Sequence, residues 1–560
     1  MPAARSVRLW MGARGIGTKS AQSRDSFAGS LLNKGFTPHP GWGSGAAEVA
    51  RAPGTIFAMR RLALALLLAA SLAAGSAGAA AKRPGVTEVQ VNAVLGAPFP
   101  TNKQDEPSLA QNPVRPLNLV AGANDEAAEP ACADAAPSTC RFVPGTGISG
   151  FYASFDGGRT WPCQGQLDLS AHGEYSFGDP GQVFDTRGSA YYATLAFPSD
   201  LEPDEPLAHA DVFVAKSDDG GCHYTTAVRL DQPKPQATND KPAIASDTGP
   251  KSPYRDNLYV VWTESRPGTA DAILFSRSTD HGATWSTPFE LSSETGSRRG
   301  ERQGSAVKVA PDGTVLVAWL DSATPTRGQR IAISGDGGRT FSIQDAQAAP
   351  VTDDSKPLPG TSFREARAFP AAATGPRGGL YLAWGSHTNG HGDVVLTSSL
   401  DRGRHWSRPA TVANVAGRTP FFVSIAVEAG GAVDVAFLAV DDRPAGTASG
   451  AGVVAYDLYV ARKPALAKAF TPPLLVSQGS SDPDGSSANA LDEQFIGDYI
   501  TALADVKAPR LYVTWTDSRR ATPCPAVDAF RAKTEAAPDV ISQCPVDFGN
   551  TDIFLSTLQY

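Results

Sequence analysis

One eight-residue phrase recurs along this chain and limits what it can fold into. Ser154-Phe155-Asp156-Gly157-Gly158-Arg159-Thr160-Trp161 returns over 278–285, 334–341 and 399–406, with a looser copy over 217–224. The template is Ser-x-Asp-x-Gly-x-x-aromatic. It is carried by Ser154, Asp156, Gly158 and Trp161, then Asp219 and Gly221, then Ser278, Asp280, Gly282 and Trp285. Ser334, Asp336, Gly338 and Phe341, and finally Ser399, Asp401, Gly403 and Trp406, complete the set. The closing aromatics stand at 161, 224, 285, 341 and 406, so the intervals are 63, 61, 56 and 65. One turn repeated at a nearly constant interval implies an array of equal supersecondary units.

Ser and Asp side chains bond backbone amides two or three residues on and close a tight turn. The Gly supplies a backbone angle that a side chain resists. The aromatic then opens the next strand. This phrase is the Asp-box, and the array resembles the sialidase-like, BNR-repeat β-propellers over nearly the whole exported chain. The resemblance implies an all-β propeller in which the boxes are structural and lie on the face opposite the active site.

Each unit reads as four short strands, the third ending at the octamer and the fourth opening on its aromatic. Five units carry the octamer. Two more keep the strands without it, at 433–437 with 457–460, and at 499–502 with 511–515 and 552–555. The last unit stops after its third strand, while 87–94 is a spare strand at the other end. That strand is expected to close the ring and leave no open edge. The count favours seven blades, against six in the catalytic sialidase domain. Trp161, Trp285 and Trp406 end octamers, and Trp262, Trp319, Trp384 and Trp515 end second strands. Recurrence at two fixed slots is what inter-blade packing needs, more than sugar stacking.

The N-terminus belongs to something else. Residues 1–58 lack periodicity and are expected to lie upstream of the true start. Residues 59–81, with Met59-Arg60-Arg61, an apolar core and a small-residue end, read as a secretory signal peptide. The propeller is expected over 82–560. Segment 1–81 holds nine Lys/Arg and two acids, a net of +7, and subtracting that from the chain's −8 leaves −15. Such a surface does not invite nucleic acid or anionic membranes. The apolar run is too short for a membrane span, so no transmembrane anchor is expected after cleavage. A secreted or periplasmic monomer acting on a glycan or glycoconjugate is the expectation. All six cysteines lie in the exported part, which suggests disulfides Cys132–Cys140, Cys163–Cys222 and Cys524–Cys544.

Chemistry is expected on the other face, where first strands start and second strands end. First-strand starts include Asp105-Glu106, Asp179, Asp240-Lys241, Arg302, Arg364-Glu365, Arg367, Asp492-Glu493 and Asp498-Tyr499. Second-strand exits include Glu264, Asp321, Asp441-Asp442-Arg443 and Asp517 with Arg519, and His387 and His391 follow the fifth. Converging carboxylates and arginines suit glycoside hydrolysis or a hard cation.

The resemblance implies three arginines clamping a sugar carboxylate, an Asp acid/base and a Tyr activated by a Glu. The first arginine normally lies in an Arg-Ile-Pro signature, where this chain reads Gln104-Asp105-Glu106-Pro107. Arg302, Arg364, Arg443 and Arg519 are the alternative clamp, with Asp517 beside it. Tyr499 with Glu493 is the candidate pair, and Asp105, Glu106, Glu365 and Asp498 are further catalytic candidates. No cofactor is required, with Ca²⁺ as an option in the acidic mouth. The function expected is a glycan-directed, exo-acting glycoside hydrolase of sialidase type, the alternative a non-catalytic glycan- or protein-binding propeller.

Overall fold

The computed structural model describes residues 85–94, 96–132, 140–200, 209–232, 237–266, 268–292, 302–322, 328–345, 361–363, 368–386, 392–441 and 454–560. The expected leader and signal peptide lie outside those residues. In each octamer turn the Ser hydroxyl and the Asp carboxylate organise the backbone. Gly158 N donates to Ser154 Oγ at 2.9 Å, and Thr160 N and Oγ1 donate to the Asp156 carboxylate at 3.0 and 2.7 Å. The same bonds recur from Ser217, Ser278, Ser334 and Ser399. Gly158 has φ of 84°, and a Cβ there would collide with Leu555 of a different blade.

These turns separate seven antiparallel sheets arranged as a propeller. Blade 1 is Gln104–Gln111, Leu119–Asp125, Ser149–Ser154 and Cys163–Gln166. Blade 2 has its first strand split into Glu174–Ser176 and Gly181–Phe184, both paired with Ala190–Pro198. Blades 3 to 6 open with Thr238–Ser246, Arg302–Val309, Ala371–Thr374 and Arg418–Val427. Blade 7 is Thr501–Ala504, Arg510–Asp517 and Asp552–Gln559, and Val86–Gln90 adds its outer strand. Val86 pairs with Leu558 and Gln90 with Phe554, so the first described strand closes the ring against the last. The spare strand expected over 87–94 therefore forms where it is needed, and six blades are ruled out.

Packing runs from each blade to the one before. Trp262, Trp319, Trp384 and Trp515 are fully buried. Trp262 sits among Tyr191, Leu195 and Val214 of blade 2, and Trp384 among Leu316, Ala318 and Ile331 of blade 4. Trp161 packs with Tyr512, Ile553 and Leu555 of blade 7. The tryptophans are inter-blade wedges, as their spacing suggested.

All three expected disulfides are present. Cys163–Cys222 ties the fourth strand of blade 1 to the octamer turn of blade 2. Cys524–Cys544 closes an insertion in blade 7 that holds two short helices, Pro525–Arg531 and Val540–Gln543. Among the described residues, no helix is long and apolar enough to cross a membrane. Replacing a buried wedge leaves a cavity between two blades. Trp384→Ala should cost about 3–5 kcal/mol in urea unfolding. An unshifted midpoint would show that the blades do not depend on it.

Candidate functional site

The first strands carry the site because they bulge. Their register against the second strands slips between Asp105 and Ser108, Asp240 and Ala243, Gln303 and Ala306, and Phe421 and Ser424. At the slip the backbone is left-handed, with φ of 54° at Glu106, 50° at Lys241, 64° at Gly304 and 47° at Phe422. Asp179, φ 52°, holds the equivalent place in the split strand of blade 2. Two residues ahead of Ala371 and Thr501, the matching positions are Phe369 in blade 5 and Tyr499 in blade 7. Non-glycine residues seldom adopt positive φ, and a bulge re-aims a side chain. Repetition at one register position builds a ring of seven: Glu106, Asp179, Lys241, Gly304, Phe369, Phe422 and Tyr499.

Lys241 occupies the centre of that ring. Its ammonium lies 2.6 Å from Asp498 Oδ2, 3.6 Å from Asp179 Oδ1 and 3.7 Å from Glu106 Oε1. It also stands over the rings of Tyr499 and Phe369, 5.5 and 5.7 Å from their centroids. One side chain from blade 3 thus reaches partners on blades 1, 2, 5 and 7. Gly304 leaves room on one side, since a Cβ there would strike Phe369.

On the face away from the octamers, Lys241 and Asp498 floor a mouth of about 450 Å³. Its walls are Phe142 and Ile148 from the blade 1 insertion, Phe177 and Leu195 from blade 2, and Asn489, Glu493 and Phe495 from the segment entering blade 7. A second buried lysine knits these insertions together. Lys103 Nζ donates to Glu126 Oε1 at 2.8 Å and Asn489 Oδ1 at 2.9 Å. Arg531, from the helical insertion, donates to the carbonyls of Ser486, Leu491 and Glu493 and holds that rim. Below Lys241 a narrower channel of about 210 Å³ continues between the first strands.

The acids at the floor titrate apart. Burial pushes the Asp240 carboxyl up to about 7, with Asp179 and Asp498 adding to the rise against Lys241. Burial likewise raises Glu106 well above the usual range. Burial would also raise Asp179, but the Lys241 charge and hydrogen bonds from Glu106 and Asp240 hold it well below the ordinary carboxylate range. Lys241 loses solvation, yet its four acidic neighbours raise it overall. At neutral pH, Asp179 is ionised and Asp240 is near its midpoint. Tyr499 donates its hydroxyl to Asp179 Oδ1 at 3.2 Å, and burial with the surrounding acids keeps that phenol neutral.

The candidates named from sequence divide into groups. Glu106, Asp498 and Glu493 line the mouth, and Tyr499 lines the channel beneath it, its hydroxyl reaching up to Asp179. Tyr499 bonds Asp179, where Glu493 was the expected partner. Asp105 lies just behind, accepting from Asn124 Nδ2 at 2.8 Å and facing Lys103 at 3.5 Å. Arg302 and Arg519 do not enter. Arg302 pairs with Asp321 at 3.1 Å and donates to the Asp271 carbonyl. Arg519 joins Asp517 to Glu88 and stacks on Trp515 and Phe554. Arg364, Glu365, Arg367, Asp442, Arg443, His387 and His391 lie outside the described residues. No arginine appears among the described residues that line the mouth. Nor do the described residues hold a cluster of three or more His, Cys, Asp or Glu arranged for a metal. The centre of the carboxylates is filled by the Lys241 ammonium.

Asp179, Asp240 and Lys241 were legible as charged strand starts but not as a centre. A signal was present in Glu106-Pro107, Asp179-Pro180, Lys241-Pro242 and Phe369-Pro370, four X-Pro pairs at one register position.

No protein-family model matches this chain, and no curated protein matches it. Solved structures that resemble it include a Hadza microbial sialidase, at 15% identity, a TM-score of 0.40 and coverage of 66% of this chain and 70% of that one. A protein of unknown function from Dyadobacter fermentans is 16% identical at a TM-score of 0.40, covering 85% of this chain and all of the other, at 100%. An α-L-arabinofuranosidase from Fusarium graminearum is 11% identical at 0.38, covering 66% and 97%. Likeness at this level says nothing about chemistry, which rests on the mouth itself.

Two outcomes are expected. Lys241→Met strands buried carboxylates and should cost about 3–5 kcal/mol in denaturant unfolding. A loss under 1 kcal/mol, on the order of an exposed pair, would remove Lys241 from the centre. Asp240 ionises about pH 7 when folded and about 3.9 when unfolded. Between those values the folded state holds the extra proton, so stability falls as pH rises through the window. Melting temperatures at pH 5 and pH 7.5, as order-of-magnitude bounds on that window, should show a smaller fall in Asp240→Asn. Equal falls would place the proton elsewhere.

Proposed function

We propose that this chain is a secreted, glycan-directed propeller that takes a sugar end into its acidic mouth and hydrolyses it in the manner of a sialidase-type glycosidase. The observation that carries the reading is the Tyr499 hydroxyl against ionised Asp179, with the proton-bearing Asp240 bonded to the same carboxylate. A neutral tyrosine needs a base as it attacks, and Asp179 stands where the phenol proton would go. Asp240 holds the proton that a leaving glycosidic oxygen requires. Two groups with opposed shifts in one cavity are a common acid/base signature.

The same charges narrow the sugar. Carboxylates and amides at the floor accept and donate to hydroxyl groups, and Phe142, Phe177 and Phe495 offer rings to a sugar face. A carboxylate-bearing sugar would meet Glu106, Asp179, Asp240 and Asp498 without an arginine among the described lining. A neutral or amino sugar fits the charge. Three disulfides accord with an oxidising, extracytoplasmic setting.

A non-catalytic glycan binder is the second reading. It is favoured by the mutual bonding of Asp179 with Glu106 and Asp240, and by the raised Tyr499 phenol, which lock the proton-transfer groups together. A panel of nitrophenyl glycosides, with a sialoside included, decides between them. Turnover of a neutral glycoside is expected, falling about 10²- to 10⁴-fold in Asp240→Asn and Tyr499→Phe. Retention on a glycan array without turnover would favour the binder, and neither turnover nor retention would sink both. Sialoside cleavage would overturn the assignment to uncharged sugars.

A further inference from the structure

The octamer face carries a charged cleft that the reading of the mouth does not use. It lies across three blades, on the side opposite the mouth, and measures about 420 Å³. Lys251 comes from the hairpin between the first and second strands of blade 3, and Asp312 from the same hairpin of blade 4. Blade 5 supplies Arg377 from that hairpin, and Leu400, Arg402 and Arg404 from its octamer turn. All four cations are exposed. Only two carboxylates, Asp312 and Asp401, line the cleft with them, so positive charge is in excess on a chain of net charge −8. Both acids are already engaged. Asp401 accepts from Ser399 Oγ and His405 N, each at 2.9 Å, and pairs with His405 Nδ1. Asp312 accepts from Thr314 N at 3.1 Å and pairs with Arg402 Nε at 2.6 Å. The side chains of Lys251, Arg377 and Arg404 have no carboxylate or hydrogen-bond partner among the described residues.

Two departures from the octamer pattern point the same way. The residue before the octamer glycine has positive φ in all five turns, and three of them place glycine there, as Gly157, Gly220 and Gly337. In the blade 5 turn it is Arg402, with φ of 65°. A cation thus stands where the backbone favours glycine, and strain of this kind gathers at functional sites. His281, the other exception, is turned to Asp185. Arg404 holds the place of Arg159 and Arg339, whose Nη1 atoms fold back onto the carbonyls of Asp156 and Asp336 at 3.5 and 3.0 Å. Arg404 makes no such bond among the described residues and lines the cleft instead.

We propose that this cleft binds a sulfated polysaccharide, its sulfate oxygens held by Lys251, Arg377, Arg402 and Arg404. Guanidinium groups match the paired oxygens of such an ester, and its three free oxygens suit cations arriving from separate blades. Clefts of about 300–1,000 Å³ take ligands of drug size, and at about 420 Å³ this one has room for sugar units beside the charged group. Its lining holds no aromatic residue and one large apolar side chain, Leu400, 79% exposed. Protein-docking surfaces centre on large buried anchors such as tryptophan and tyrosine. Membrane-binding surfaces bury a broad apolar face. The cleft offers neither, and it shares no residue with the mouth, so it fills independently of a sugar held there.

Dextran sulfate against uncharged dextran, titrated calorimetrically into the full chain, tests this. Saturable binding of dextran sulfate alone is expected, weakening as salt screens the exposed cations. Arg402→Gly combined with Arg404→Gln should weaken it about tenfold or more. Glycine suits that backbone and exposed ion pairs contribute little, so this variant should keep the parent's melting temperature. If it does not fold, Lys251→Gln with Arg377→Gln makes the same comparison. Arg159→Gln with Arg339→Gln removes equal charge from octamers outside the cleft and should bind as the wild type does. Equal losses in the two sets of variants, or no binding by the wild type, would overturn the proposal. Inorganic sulfate binding as tightly as the polymer would overturn it in favour of a simple anion site. Tighter binding of polyphosphate, polyglutamate or phosphatidylserine vesicles, lost in the same variant, would overturn it in favour of that partner.

Discussion

The pairing of Val86–Gln90 with the last strand, Asp552–Gln559, is the contact on which the rest depends. Without it, blade 7 would present an open edge and the seven first strands would have no fixed common axis. The sheet bonds are reinforced by charge and packing. Arg519 reaches from Asp517 across to Glu88 of the closing strand and lies over Trp515 and Phe554. Two arginines that strand-end logic offered to a ligand, Arg302 and Arg519, are thereby committed to holding blades. Their acids, Asp321 and Asp517, are buried, so each pair is structural at both ends.

Ring closure creates a crowded axis, and the chain settles it with charge. Five of the ring positions carry left-handed backbone that aims residues inward, and two half-rings result. Glu106, Asp179 and Lys241 supply charge, while Phe369, Phe422 and Tyr499 supply aromatic surface, with Gly304 as the gap between them. Lys241 bridges both halves, as an ion to the acids and as a cation over the rings. Its charge holds Asp179 ionised, while burial raises Asp240 and Glu106 against that same charge. The same side chain lines both the mouth and the channel below it.

The octamers were legible from sequence because their bonds are local. Ser154, Asp156, Gly158 and Thr160 satisfy one another within seven residues, and no distant partner is needed to recognise them. The tryptophans were nearly as readable, since a wedge repeated every blade leaves a period. The disulfides followed from closeness along the chain and from the adjacency of consecutive blades. The site was harder. Tyr499 was singled out from its strand position, but its partner lies 320 positions away in Asp179. Glu493, only six residues off, looked nearer in sequence than in chemistry.

What the sequence alone determined was the fold, down to the strand that closes it, because propeller blades are built from contacts within a unit and between consecutive units. What only the tertiary structure decided was which charges share a centre. Lys241 meets acids that are 62, 135 and 257 positions away, at Asp179, Glu106 and Asp498. Charged strand starts look alike in sequence, and a bulge of one residue sets whether each points to the axis or pairs within its own blade. That choice depends on backbone register, which has no signature in composition and only a faint one in the recurring X-Pro pairs.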